Sequence, residues 1–304
     1  MRIVKVNKDS IANILSDLLK RSPTNYGDFQ DKVDAIIKNV RDNGDKAVFD
    51  YTAQFDKAEI NADNILVTEE EIKEAYEEVD DELIKVIRKA IKNIRDFHEK
   101  QIQKSWFETR EDGVMLGQKV TPMETCGVYV PGGKAVYPSS VLMNIVPAHV
   151  AGVKNIIMTT PPGKDGKVTA NTLVAAKEAG ATKVYKVGGA QAIAAMAFGT
   201  ESIPKVDKIV GPGNIFVALA KKAVYGNVSI DSIAGPNHVL PTNGTAKFFS
   251  PLSVDDFIKK SSVIYYSREA LEPVHKDIEF FANQEQLTAH ANSMKVRFED
   301  NQEG

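Results

Sequence analysis

Three glycine-rich turns hold the side chains best suited to chemistry: Pro131-Gly132-Gly133, Val187-Gly188-Gly189-Ala190-Gln191 and Val210-Gly211-Pro212-Gly213-Asn214. Each sits where a short apolar run hands over to a segment of helical character. Glycine there permits a positive φ and close backbone approach, and the N-terminus of the following helix can receive an anionic group. None is the G-x-G-x-x-G dinucleotide fingerprint, and ordinary strand-to-helix turns use the same residues. Three turns aligned along one sheet edge favour a ligand site over a purely structural explanation. Tyr129 offers an aromatic face and a phenol, and Gln191 and Asn214 offer amides that both donate and accept. Taken singly, each reads more readily as a turn residue than as a ligand contact.

The other reactive side chains read as structural. Cys126 has no basic or helix-terminal neighbour to lower its pKa, so it reads as a small buried residue rather than a nucleophile. His98 falls just past an amphipathic stripe and reads as a surface residue. His149 in an apolar helix and His275 in a charged one read as structural.

The elements that must position the turns follow from periodicity. Residues 1 to about 125 are charged and mostly helical. Thr68 with Glu71 forms a capping-box pattern, and Leu83, Val86, Ile87, Ala90, Ile91, Ile94 and Phe97 then recur at helical spacing, predicting one long amphipathic helix. From Gly127 to Ile230 strands are expected at 127–131, 155–159, 183–187 and 208–210. Helices are expected near 139–151, 170–179, 191–198 and 214–224. That alternation predicts right-handed βαβ units and a parallel sheet covered on both faces, with ligands at its carboxyl edge. Beyond Asn237 the pattern predicts a helix near 254–260, a strand at 262–266 and a helix at 285–293, too little to hold a core of its own. The expected class is α/β, a parallel Rossmann-like βαβ domain with a helical N-terminal part and a small C-terminal tail domain. The expected division is 1–126, 127–236 and 237–304.

Composition excludes several roles. The 304 residues are 43% hydrophobic and 26% charged, as in an ordinary globular protein large enough for two domains. A formal net charge of -3 without a basic block gives no footprint for nucleic acid or an anionic membrane surface. The one cysteine excludes an intrachain disulfide. No apolar run reaches roughly the 18 residues of a membrane span, and Met1 to Ser10 has no signal-type apolar segment. A cytoplasmic location is expected.

The strings Gly127-Val128-Tyr129-Val130-Pro131-Gly132-Gly133, Val187-Gly188-Gly189-Ala190-Gln191-Ala192-Ile193 and Gly211-Pro212-Gly213-Asn214 resemble the characteristic strings of histidinol dehydrogenases. The segment from Ser229 to Thr242, containing Asp231-Ser232-Ile233-Ala234-Gly235-Pro236-Asn237-His238-Val239-Leu240-Pro241-Thr242, resembles two motifs of that family fused into one. The first, Asp-x-x-Ala-Gly-Pro-Ser-Glu, runs as far as Pro236. The second, Asp-Tyr-x-Ala-Gly-Pro-Asn-His-Val-Leu-Pro-Thr, takes over from Asn237. The resemblance therefore covers both ends of a histidinol dehydrogenase and lacks its middle, with an internal segment missing between Pro236 and Asn237.

The resemblance implies NAD-dependent oxidation of histidinol to histidine in two successive steps, through a bound aldehyde, in histidine biosynthesis. It implies Tyr129, Gln191 and Asn214 as NAD contacts, and His238, Glu285 and His290 as substrate contacts. It implies Asp231 and His290 as zinc ligands, Asp231 preceding His238 at the family's spacing although the first motif supplies it. It also implies a homodimer whose C-terminal tail reaches the partner's active site. The family's Gln-x-x-His zinc pair and the Pro-Glu-His-Leu-Glu string with its proton-transferring Glu-His pair are absent from the sequence, so no catalytic base can be named. Catalytic zinc ordinarily has three protein ligands. Two imply a zinc that is weak or lost. The rival expectation is a non-catalytic NAD-binding or dimerisation module.

Overall fold

The computed structural model describes residues 27–132, 137–231 and 250–299. Contacts divide the chain into two units, one within Met1–Ile102 and Pro122–Ile258, the other within Gln103–Thr121 and Lys259–Gly304.

The larger unit is a parallel five-stranded sheet with helices on both faces. Its strands are β3 (Thr125–Tyr129), β4 (Asn155–Thr160), β5 (Lys183–Lys186), β6 (Lys208–Val210) and β7 (Ser229–Ile230), in the spatial order β5-β4-β3-β6-β7. The sequence runs outward from β3 through β4 to β5, then returns to β6 on its other side. The gap between β3 and β6 is thus a topological switch point, where sheets of this kind open a crevice at the strand carboxyl ends.

Side chains alternate across the strands. Cys126, Val128 and Val130 enter one apolar cluster and Tyr129 the other. The Tyr129 face is covered by α1 (Gly27–Phe55), together with α6 (Gly189–Phe198) and α7 (Ile215–Val224). The opposite face carries α2 (Glu69–Glu78), α3 (Asp81–His98), α4 (Pro138–Val150) and α5 (Ala170–Ala179). The free edge of β5 is occupied by Ile65–Val67, with Val67 N–H donating to Val184 O at 2.9 Å and Lys186 N–H to Ile65 O at 2.8 Å.

Several expectations need correction. The stripe from Leu83 to Phe97 is one helix, but the Thr68–Glu71 box belongs to a separate helix before it. Thr68 and Glu71 do form a capping box, but on α2, which ends at the extended Val79, and Asp80 opens α3 by accepting from Glu82 N–H at 2.7 Å. His98 is buried, its Nδ1 2.7 Å from Gln101 Oε1. Residues 254–257 form a 3₁₀ turn, and the expected helix beyond it is the strand β8 (Ile258–Tyr265). The mostly helical N-terminal stretch also contains β1 (Trp106–Thr109) and β2 (Met115–Pro122), paired antiparallel.

The smaller unit contains the sheet order β1-β2-β8 with α8 (Arg268–Leu271), α9 (His275–Gln284) and α10 (Thr288–Lys295). All four β1 residues are exposed, so no burial alternation marks this strand. Trp106, Phe107, Ile264, Tyr265, Phe280 and Phe281 are each more than half exposed. Among the described residues no helix is long and apolar enough to cross a membrane.

Candidate functional site

The carboxyl ends of four parallel strands open into one cavity of about 1180 Å³. β3 contributes Tyr129 and the turn after it Pro131 and Gly132; the loop after β4 contributes Pro161 to Lys164; the turn after β5 contributes Gly189 and Gln191; the turn after β6 contributes Asn214. The end of α1 closes it with Tyr51, Phe55 and Asp56. The structure thus brings Tyr129, Gln191 and Asn214 together, as the three turns led us to expect.

Their local states differ. Tyr129 is buried, and its hydroxyl accepts a hydrogen bond from Gly189 N–H at 3.2 Å, tying the end of β3 to the first turn of α6. Burial pushes the phenol up to about 12, partly offset by the Gly189 bond and reinforced by the charge of Asp56. It stays neutral near pH 7 and serves as a hydrogen-bonding group. Gln191 is 1% exposed, and neither Oε1 nor Nε2 has a hydrogen-bond partner. A buried primary amide left unpaired on both sides is costly, and such groups ordinarily mark a place where a ligand or ion completes the bonding. Asn214 is exposed and caps α7, its Oδ1 accepting from Phe216 N–H at 3.0 Å and Val217 N–H at 3.2 Å. Its amide nitrogen is the group left for a ligand.

Two glycines are required by this geometry. Gly211 has φ +114°, and a Cβ there would lie 2.0 Å from Tyr129 O. Gly189 has φ +65°, and a Cβ there would meet Gln191 Oε1 at 2.6 Å. The backbones of β3 and the β6 turn approach so closely that only glycine fits.

Asp231 lies at the end of β7, next to the β6 turn. Its Oδ2 accepts from Gly211 N–H at 2.8 Å, and its Oδ1 pairs with the buried ammonium of Lys221, which also donates to Gly211 O at 3.0 Å. Both carboxylate oxygens are therefore committed to protein donors. Zinc coordination at Asp231 would require displacing an ammonium, so the described residues do not fit a zinc site there. Among them, no three His, Cys, Asp or Glu side chains are grouped as a metal centre.

Glu285 and His290 belong to the smaller unit and are both exposed. Glu285 caps the end of α9, and His290 sits on α10. His238, Gly133 and the junction between Pro236 and Asn237 lie outside the described residues. Cys126 is fully buried, and burial pushes its thiol far above the usual range, which removes it as a nucleophile. His149 is exposed at the end of α4, and His275 stacks on Phe298 with ring centroids 4.1 Å apart.

Sequence reasoning missed the α1 wall of the cavity. Tyr51 and Phe55 stack there at 5.6 Å and 9°, and Asp56 follows with its Oδ2 buried and unpartnered. Burial pushes the Asp56 carboxyl up to about 6. The available signal was a pair of aromatics one helical turn apart ahead of an acid, a pattern common on surface helices.

The family model for histidinol dehydrogenase matches residues 19–237 and again residues 231–298. The two matches overlap in the Asp231 to Asn237 string. Histidinol dehydrogenase of Caldanaerobacter subterraneus subsp. tengcongensis is 39% identical over 421 aligned residues, covering 96% of this chain and 97% of that protein. The Bacillus subtilis enzyme is 41% identical over 425, covering 97% and 99%. Alignments of that length on a chain of 304 residues cross more than a hundred positions that have no counterpart here. The crystal structure of histidinol dehydrogenase from Elizabethkingia anophelis superposes with a TM-score of 0.82 at 27% identity, covering 88% of this chain and 92% of that one.

Proposed function

The chain belongs to the histidinol dehydrogenase family, and from that premise we propose that it binds NAD in the cavity at the β3/β6 switch point and acts on histidinol within histidine biosynthesis. The observation that carries the cofactor assignment is the doubly unpaired amide of Gln191 in that cavity. A nicotinamide dinucleotide carries amide, hydroxyl and phosphate groups able to complete its bonding. NAD, when bound, supplies the hydride acceptor. The chain's own residues bind and orient it: Gln191 through both amide atoms, Asn214 through its Nδ2, and Tyr129 by fixing the N-terminus of α6.

Asp231 is held by Lys221 and Gly211 and offers zinc no open carboxylate. His238, Glu285 and His290 are the proposed substrate contacts. The Glu-His pair that moves protons in the family is absent from the sequence, and general acid-base groups contribute about 10²- to 10⁴-fold. Turnover is therefore expected to fall well below that of full-length relatives.

The parts of the protein are assigned as a helical N-terminal part (1–126), an NAD-binding part (127–236) and a C-terminal dimerisation tail (237–304). The exposed aromatics of the smaller unit support a homodimer. The protein is assigned to the cytoplasm, with histidinol as its small-molecule partner and no nucleic acid or membrane. A second reading, a non-catalytic NAD-binding remnant, is favoured by the engagement of Asp231.

Calorimetric titration with NAD and a histidinol turnover assay on the same preparation test both readings. Turnover supports the enzyme, and binding without turnover supports the remnant. Absence of NAD binding rejects the cofactor assignment.

A further inference from the structure

Four buried side-chain polar atoms among the described residues lack a hydrogen-bond partner: Asp56 Oδ2, Asn144 Oδ1 and both amide atoms of Gln191. Three of the four belong to side chains lining the one cavity. Such groups are ordinarily satisfied. Their concentration points to a polar ligand that faces Asp56 as well as Gln191.

Asp56 narrows the chemistry of that ligand. Its backbone N–H donates to Thr52 O at 2.9 Å, continuing the last turn of α1 and fixing the residue against the cavity. An ionised carboxylate only accepts, so the group opposite it must donate, and a phosphate there is repelled. The same wall carries the stacked Tyr51 and Phe55, a flat aromatic surface of the kind nucleobases stack on. Lys32 and Lys164 are the cationic members of the lining.

We propose that Asp56 is a specificity-determining residue that accepts hydrogen bonds from the free ribose hydroxyls of the bound dinucleotide and rejects a ribose bearing a 2′-phosphate. This rests on the assignment of the cavity to NAD. Asp56 therefore sets the preference for NAD over NADP, a role independent of the three glycine turns. The raised pKa agrees: burial holds the Asp56 proton to about pH 6, and a donating ligand that favours the carboxylate releases it. The other titratable or charged side chains lining the cavity are Lys32, Tyr51, Tyr129 and Lys164.

The test is calorimetry of the full chain and of Asp56→Asn and Asp56→Ala with NAD, NADP and nicotinamide hypoxanthine dinucleotide, which lacks the purine amino group. Melting curves confirm that the variants fold, and Asn preserves the shape should Ala not fold. The unaltered chain is expected to bind NAD and the hypoxanthine analogue alike, and NADP about tenfold more weakly. Asp56→Asn is expected to lose about tenfold for NAD and to bind NAD and NADP within about threefold of each other. NAD affinity should rise from pH 5 to 7.5 in the unaltered chain and stay flat in Asp56→Asn. Unchanged affinity and discrimination in the variant overturns the proposal while leaving the cofactor assignment standing. An affinity loss for the hypoxanthine analogue that disappears in Asp56→Asn also overturns it, since the donor is then the purine amino group. Failure of the unaltered chain to bind any dinucleotide brings down the cofactor assignment and this proposal together.

Discussion

Lys221 and Asp231 form a buried ion pair that closes around Gly211, so that a helix, a strand end and the turn leading to Asn214 are locked by two side chains. The pair is an internal clamp on the cavity rim. Removing one partner leaves the other charge buried without compensation, which costs about 3–5 kcal/mol. Asp231→Asn and Lys221→Met should each lower stability by that order in urea denaturation, and the double variant should recover part of it. Additive losses in the double variant would show that the two residues act independently.

Gln191 should show the opposite balance between stability and binding. Its unpaired amide is a burden to the free protein, of about 1–3 kcal/mol. Gln191→Leu is expected to melt at a higher temperature than the unaltered chain and to lose NAD affinity about tenfold or more. A lower melting temperature with binding intact would contradict both halves.

For Asp56 the sign follows from a folded pKa near 6 against an ordinary 3.8. Folding holds the proton, so the folded state is favoured at low pH and loses that advantage as pH rises from about 4 to about 6. In the absence of NAD, Asp56→Asn should therefore be more stable than the unaltered chain at pH 7.5, the difference shrinking by pH 4. A pH-independent difference would remove titration of Asp56 as its source.

Metal content gives a further check. With Asp231 committed to Lys221, zinc measured by atomic emission after dialysis should be well below one per chain. A chelator should leave the melting temperature unchanged. One tightly held zinc per chain would mean that replacement ligands exist.

The parallel sheet and its turns were legible because a strand buried on both faces reads as a short apolar run and a strand-to-helix turn needs glycine. Tyr129, Gln191 and Asn214 could be placed on that basis together with the family strings. The strands β1 and β2 were not legible, since a strand such as Trp106–Thr109, exposed on both faces, carries no periodic signal. The break at Val79 and Asp80 was not legible because a cap is a local event, and the Thr68 box reads as the start of the stripe that begins only at Leu83. Asp56 was invisible for another reason: what distinguishes it is the burial of one oxygen, and burial depends on residues more than 70 positions away, such as Tyr129 and Gln191.

The packing of α1 on α6 and α7 sets an order of events during synthesis. Val33, Ile36 and Val40 of α1 share a core with Ile193 of α6 and Val217 of α7. At 5–20 residues per second, the nascent chain carries an uncovered apolar helix for roughly 10–40 s before α7 has been made. That interval is a window for capture by chaperones or for misassembly between neighbouring nascent chains, and slowing translation before codon 217 should lengthen it.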